Sequence, residues 1–209
     1  MSSSDPSFRI VVLASGGGTN LQAIIDELHG KDGVTVAGVA SDKPDAFALE
    51  RAAAANIDTG IFTRERHGDR PTRDLALADW VDSHSADLVV LAGYMQLLSP
   101  EFVARFRGRI VNVHPALLPS FPGLDAIGQA LDHGVRVTGV TVHFVDEGTD
   151  TGPVILQRSV EIPANWEREE LEKAIHEIEH EIYPEAIGMI ARGKVRIAAD
   201  NPRQVIVDQ

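Results

Sequence analysis

Phe8-Arg-Ile-Val-Val-Leu-Ala14, followed by Ser15-Gly-Gly-Gly-Thr-Asn20 and Leu21-Gln-Ala-Ile-Ile-Asp-Glu-Leu28, is the stretch whose reading decides the fold. Its first seven residues form an apolar, β-branched run bounded by polar residues and glycines, as in a strand buried on both faces. Leu21, Ile24, Ile25 and Leu28 then recur at helical spacing, with Thr19 or Asn20 placed to cap that helix. Strand, glycine turn and helix make the first unit of a parallel α/β sheet.

The same rhythm extends outward. Val34 to Ala40 reads as a strand, Asp45 to Ala55 as an alanine-rich helix, and Ile57 to Phe62 as a third strand. A helical pattern over Arg70 to His84 precedes a buried strand over Asp87 to Ala92, and a helix is expected from Pro100 to Phe106. Arg109 to Val113 is a brief strand that His114-Pro115 ends, because proline cannot donate to the ladder. Val137 to Val145 and Pro153 to Ile162 read as strands that pair as a hairpin, and Trp166 to Arg192 as a long helix kinked at Pro184. The chain is thus expected to be α/β, a single-domain, three-layer, mostly parallel twisted sheet with a Rossmann-like N-terminal half.

Composition narrows the function. With 31 acidic against 19 basic side chains, a formal charge of -12 repels polyanions, so neither nucleic acid nor an anionic membrane is an expected partner. The absence of cysteine removes disulfides, thiolate metal sites and a cysteine nucleophile together. No apolar run approaches the roughly 20 residues of a membrane-spanning helix. Residues 1–7 are polar, without a signal-like apolar core, so the expectation is a cytoplasmic protein. The serine-rich start and the last few residues look loosely held.

Three constellations carry candidate chemistry. Ser15 to Asn20 lacks both the spaced third glycine of a dinucleotide fingerprint and the lysine of a P-loop, yet a glycine turn opening a helix suits a monophosphate. A plain strand-to-helix turn is the other reading. Asn112 and His114 are two apart on a strand and project together from its C-terminal tip, where open α/β sheets bind ligands. An amide there can donate to an oxyanion and an imidazole can donate or shuttle a proton; two ordinary capping hydrogen bonds are the plainer alternative. The loop from Asp146 to Gly152 offers Asp146, Glu147 and Asp150, without EF-hand spacing. A carboxylate there that faced His114 would keep an imidazolium charged, whereas Asp146 and Glu147 read as solvated acids. His176 and His180 are four apart on one helical face but lack an H-E-x-x-H frame, so no metal is expected.

Taken together, SGGGTN with LQAIID, LAGYMQLLSP, NVHPALLPSFPG and VHFVDEGTDTGPVILQ resemble the phosphoribosylglycinamide formyltransferase family, four spaced motifs in order from about Phe8 to Gly193. The resemblance implies a formyltransferase domain over residues 8–193, flanked by a disordered tail over 1–7 and a C-terminal extension over 194–209. It implies transfer of formyl from 10-formyltetrahydrofolate, a co-substrate, to the amine of phosphoribosylglycinamide in purine synthesis, without a metal. Asn112, His114 and Asp150 match the family's catalytic Asn, His and Asp. Gly17, Gly18, Thr19 and Asn20 match its phosphate-binding turn, and His176 and Glu179 its ribose-facing residues. The folate would lie along Met95, Gln96, Leu97 and Leu98 and around Val145, Asp146 and Glu147, with Arg70 toward its tail. Gln96 departs from an arginine common in relatives, and Asp125-Ala126-Ile127 from a segment that often holds histidine.

Rival expectations are a formyltetrahydrofolate hydrolase, which usually adds an N-terminal regulatory domain, and a phosphate-binding module without catalysis. A methionyl-tRNA formyltransferase would want a basic, RNA-binding C-terminal extension. Monomer and homodimer are both compatible with the apolar helix faces.

Overall fold

The computed structural model describes residues 7–208. By contact density the chain divides into two compact units, residues 1–111 and 112–209.

Unit 1 alternates strand and helix: β1 (Phe8–Leu13), α1 (Thr19–Leu28), β2 (Val34–Ser41), α2 (Phe47–Ala54), β3 (Thr59–Ile61), the short α3 (Arg64–His67), α4 (Arg70–Ser83), β4 (Leu88–Leu91) and α5 (Pro100–Arg105). β1 pairs in parallel with β2 on one side and β4 on the other, and β2 with β3. The order β3-β2-β1-β4 reverses direction at β1, which makes the β1 and β4 tips the switch point where such sheets take ligands. Ser15, just beyond β1, there donates its backbone N–H to the Gly93 carbonyl just beyond β4 (3.1 Å). Ile10 to Ala14 are wholly buried, which accounts for the unbroken apolar run.

The unit boundary falls inside β5 (Ile110–His114), whose last three residues open unit 2. α6 (Ala126–Asp132), β6 (Val137–Phe144), β7 (Val154–Glu161) and α7 (Arg168–Ala191) follow, with β8 (Val195–Ile197) and β9 (Val205–Val207) closing the chain. In unit 2 the order is β5-β6-β7. β6 and β7 form the expected antiparallel pair, with an irregularity in register between Val142 and His143. The sheet is therefore mostly parallel, as expected.

Some expectations change. Neither Thr19 nor Asn20 caps α1: Gly18 is the N-cap, at φ 69°, without a side-chain cap, and Thr19 begins the helix. Only glycine fits, because a Cβ on Gly18 would stand 2.8 Å from Ala48 Cα. The third strand is confined to Thr59–Ile61, and α7 runs through Pro184 as one helix. Among the last residues, Val205 and Val207 are held in an antiparallel hairpin with Ile197 and Val195, while Gln209 lies outside the described residues. Ser7, assigned to the tail, contacts the Thr35 hydroxyl (2.6 Å), while the rest of that tail lies outside the described residues. Among the described residues no helix is long and apolar enough to cross a membrane.

Candidate active site

In unit 2, β5 delivers Asn112 and His114 at its C-terminal tip, as the two-residue spacing requires. The segment that leaves His114 is anchored at Thr141, whose hydroxyl donates to the Ala116 carbonyl (2.6 Å) and accepts from the Leu118 N–H (3.1 Å). Gln157 reaches across from β7 to the Leu118 carbonyl (3.0 Å). The strand tip is thereby fixed before any substrate arrives.

His114 is buried, at 4% exposure. Its Nε2 lies 2.8 Å from the Phe121 carbonyl. A carbonyl only accepts, so Nε2 carries a proton there. Nδ1 faces Asp150 Oδ2 at 3.5 Å. The same Oδ2 accepts the Gly123 N–H at 2.7 Å. Asp150 sits at φ 54°, a left-handed conformation that costs an L-residue about 1 kcal/mol and tends to persist at functional positions.

A fourth side chain, His143, joins this cluster. It is buried, and its Nδ1 donates to the Phe144 carbonyl (2.8 Å). Its Nε2 stands 3.7 Å from Asp150 Oδ1 and 3.3 Å from Asn112 Nδ2. Burial holds the His143 imidazole below the usual histidine range; the Phe144 carbonyl and Asp150 oppose that shift and His114 reinforces it. A neutral ring with its proton on Nδ1 accepts at Nε2, which turns the Asn112 amide so that one N–H is spent on His143 and the other is left to donate elsewhere. In the sequence His143 falls within the strand expected over Val137 to Val145, with no role of its own. Its signal was its place at the end of β6, the strand beside β5.

The remaining candidates divide between the units. In unit 1, Gly16, Gly17 and Thr19 are exposed and Gly18 and Asn20 half-buried. Arg51 Nε donates to the Gly17 carbonyl (2.8 Å) and its Nη1 to Gln22 Oε1 (3.0 Å), bracing the turn. Also in unit 1, Met95 and Leu97 are unusually exposed for apolar side chains, at 62% and 66%. Gln96 and Leu98 are half-buried, and Arg70 Nη2 donates to the Leu98 carbonyl (2.9 Å).

In unit 2, Val145 is half-buried and Glu147 exposed. Asp146 closes its own loop by accepting from the Gly148 N–H (3.0 Å) and the Thr151 hydroxyl (2.6 Å). On α7, Glu179 is buried at 6% exposure, whereas His176 is exposed and stacks on His180 with centroids 6.4 Å apart. Asp125, in the segment that departs from the family pattern, is exposed and pairs with Arg168 (2.7 Å).

A family model described as formyl transferase matches residues 8–187. The chain is 44% identical over 189 residues to phosphoribosylglycinamide formyltransferase of Escherichia coli, covering 90% of this chain and 89% of that one. It is 41% identical over 180 residues to the Bacillus subtilis protein of the same name, covering 86% and 92%. Among solved structures, glycinamide ribonucleotide transformylase 1 from Symbiobacterium toebii is similar at a TM-score of 0.93 and 44% identity, with both chains covered completely.

Proposed function

The chain belongs to the formyl transferase family, and from that premise we propose that the cluster of Asn112, His114, His143 and Asp150 transfers formyl from 10-formyltetrahydrofolate to phosphoribosylglycinamide. The protein is an enzyme, a phosphoribosylglycinamide formyltransferase of purine biosynthesis. The observation that carries the residue assignment is the contact of Asp150 with both buried histidines, at 3.5 and 3.7 Å, on a strained backbone.

Direct attack of the amine nitrogen on the formyl carbon forms one C–N bond and leaves negative charge on the formyl oxygen. The unspent N–H of Asn112 is the donor proposed for that oxygen, and His114, with Nε2 engaged by the Phe121 carbonyl and Nδ1 facing Asp150, is proposed to neutralise it through the nearby charge of its imidazolium. Asp150 stabilises the His114 imidazolium and accepts the proton of the attacking amine, directly or through water. Collapse breaks the bond from carbon to the folate nitrogen, which takes up the proton. Each partner of the reaction is thus provided for by this chain's own side chains.

Gly17, Gly18, Thr19 and Asn20 are proposed to hold the substrate phosphate at the start of α1, where a glycine N-cap exposes backbone to an anion. Glu179 and His176 are proposed for the ribose. Met95, Gln96, Leu97 and Leu98, with Val145, Asp146 and Glu147, are proposed for the folate, with Arg70 toward its tail. We further propose that the reaction needs no metal, that the formyltransferase domain spans residues 8–193, and that the enzyme works in the cytoplasm with small-molecule partners alone, as a monomer or homodimer.

Mass spectrometry of the amine after incubation with a formyl-labelled 10-formyl folate tests the assignment. Label should appear on phosphoribosylglycinamide with wild-type protein and be nearly lost with Asp150→Asn. Label recovered as free formate would contradict transfer.

A further inference from the structure

Five consecutive residues in unit 1, Met95 to Ser99, are each tied down by a hydrogen bond. The Met95 N–H donates to the Ser15 hydroxyl (2.8 Å). The other four bonds lead to α4. Arg73 Nη1 donates to the Gln96 side-chain carbonyl (3.0 Å) and Nη2 to the Leu97 backbone carbonyl (3.4 Å). Arg70 Nη2 donates to the Leu98 carbonyl, and the Ser99 N–H donates to Asp74 Oδ2 (2.5 Å). Arg70, Arg73 and Asp74 stand at i, i+3 and i+4, so one face of α4 grips the whole segment.

The grip is unusual in its chemistry. Arg73 and Asp74 are almost wholly buried, at 1% and 0% exposure, and pair with each other through Arg73 Nε and Asp74 Oδ1 (2.8 Å). Buried ion pairs of this kind seldom add net stability, because desolvation cancels much of their attraction, and they are better explained by what they hold in place. What this pair holds is a loop that presents Met95 and Leu97 to solvent.

We propose that Arg73 is a positioning residue for the folate co-substrate, presetting the shape of the 95–99 loop from behind without touching the ligand. The inference rests on the reading of that loop as part of the folate site. Arg73 spends its fixed fork of donors on Asp74, Gln96 and Leu97, so the loop's outward-facing backbone is ordered before folate binds and little ordering remains to be done on binding. Arg73 therefore sets affinity for the formyl folate, and the chemical step is left to other residues.

Steady-state kinetics on the full-length enzyme tests this with three variants. Arg73→Lys keeps the buried charge but loses the fork; Arg73→Met with Asp74→Leu replaces the pair by apolar side chains; Leu97→Asp probes the loop's exposed face directly. The expected result is that both Arg73 variants raise KM for 10-formyl folate by about tenfold, with kcat and KM for phosphoribosylglycinamide changed less than about twofold. Leu97→Asp should raise the folate KM as well. If Leu97→Asp raises it and the folded Arg73 variants do not, the positioning role is overturned while the folate loop stands. If all constants of Arg73→Lys worsen alike, Arg73 is merely structural. An unchanged folate KM in Leu97→Asp overturns the folate reading of the loop and this inference with it.

Discussion

Asp150 and His114 face each other across 3.5 Å, Oδ2 toward Nδ1, while His114 commits its other ring nitrogen to the Phe121 carbonyl at 2.8 Å. Both imidazole nitrogens therefore look at oxygen acceptors. The same Oδ2 takes the Gly123 N–H, so the carboxylate also fixes the loop that supplies one of those acceptors.

Asp150→Asn should separate these two duties. An asparagine oxygen still accepts from Gly123, so the thermal midpoint should shift by only a few degrees. Loss of the charge should lower kcat by about 10²- to 10⁴-fold, the range for a general acid or base. Stopped-flow turnover alongside a melting curve checks both halves, and near-normal kcat in a folded variant would remove Asp150 from the mechanism.

Asn112→Ala should lower kcat by about 10²- to 10³-fold with modest change in either KM, as expected when one oxyanion donor is lost. His143→Leu should produce a smaller loss in the same direction, since it frees the Asn112 amide to rotate rather than removing it. Equal or larger losses in His143→Leu would mean that His143 itself contacts the reacting atoms.

Gly18→Ala should destabilise the protein by about 1–3 kcal/mol, combining a left-handed backbone with overpacking against Ala48. KM for phosphoribosylglycinamide should rise more than KM for the folate. Urea denaturation and initial rates with each substrate varied in turn measure the two effects.

Stability should fall as pH drops from about 7 toward 5. His143 is held below its ordinary range chiefly by burial, as is His180, to which His176 adds repulsion. In the unfolded chain each takes its proton near pH 6.5, and in the folded protein only at lower pH. Protons therefore favour the unfolded state below about 6.5, and the loss continues until the folded-state values are passed. His143→Gln should flatten the slope of unfolding free energy against pH over this window; an unaltered slope would place its titration elsewhere.

Much of this was legible in the sequence for a definite physical reason. FRIVVLA and DLVVLA are buried on both faces and therefore read as strands without ambiguity, and Asn112 and His114 share a face because the strand period is two. What stayed hidden depends either on local backbone geometry or on contacts distant in sequence. Asp125, in a left-handed conformation, caps α6 with its side chain accepting the Gly128 N–H (3.3 Å), and nothing in the local apolar pattern announces that. His143 reads as one more strand residue, and only the placement of β6 beside β5 brings it to the site. Nothing in the helical pattern over Arg70 to His84 marks Arg73 and Asp74 as buried, and only tertiary packing buries them. The hairpin of β8 and β9 was missed because two three-residue strands offer too little alternation to read.

The most direct test of the central claim is the absorbance change of 10-formyltetrahydrofolate as purified enzyme deformylates it, with and without phosphoribosylglycinamide. The account predicts rapid deformylation only when the amine is present, with one formyl-amine product formed per folate consumed. Equal rates without the amine would contradict transfer in favour of hydrolysis, and no deformylation under either condition would leave the cluster around Asp150 without a catalytic role.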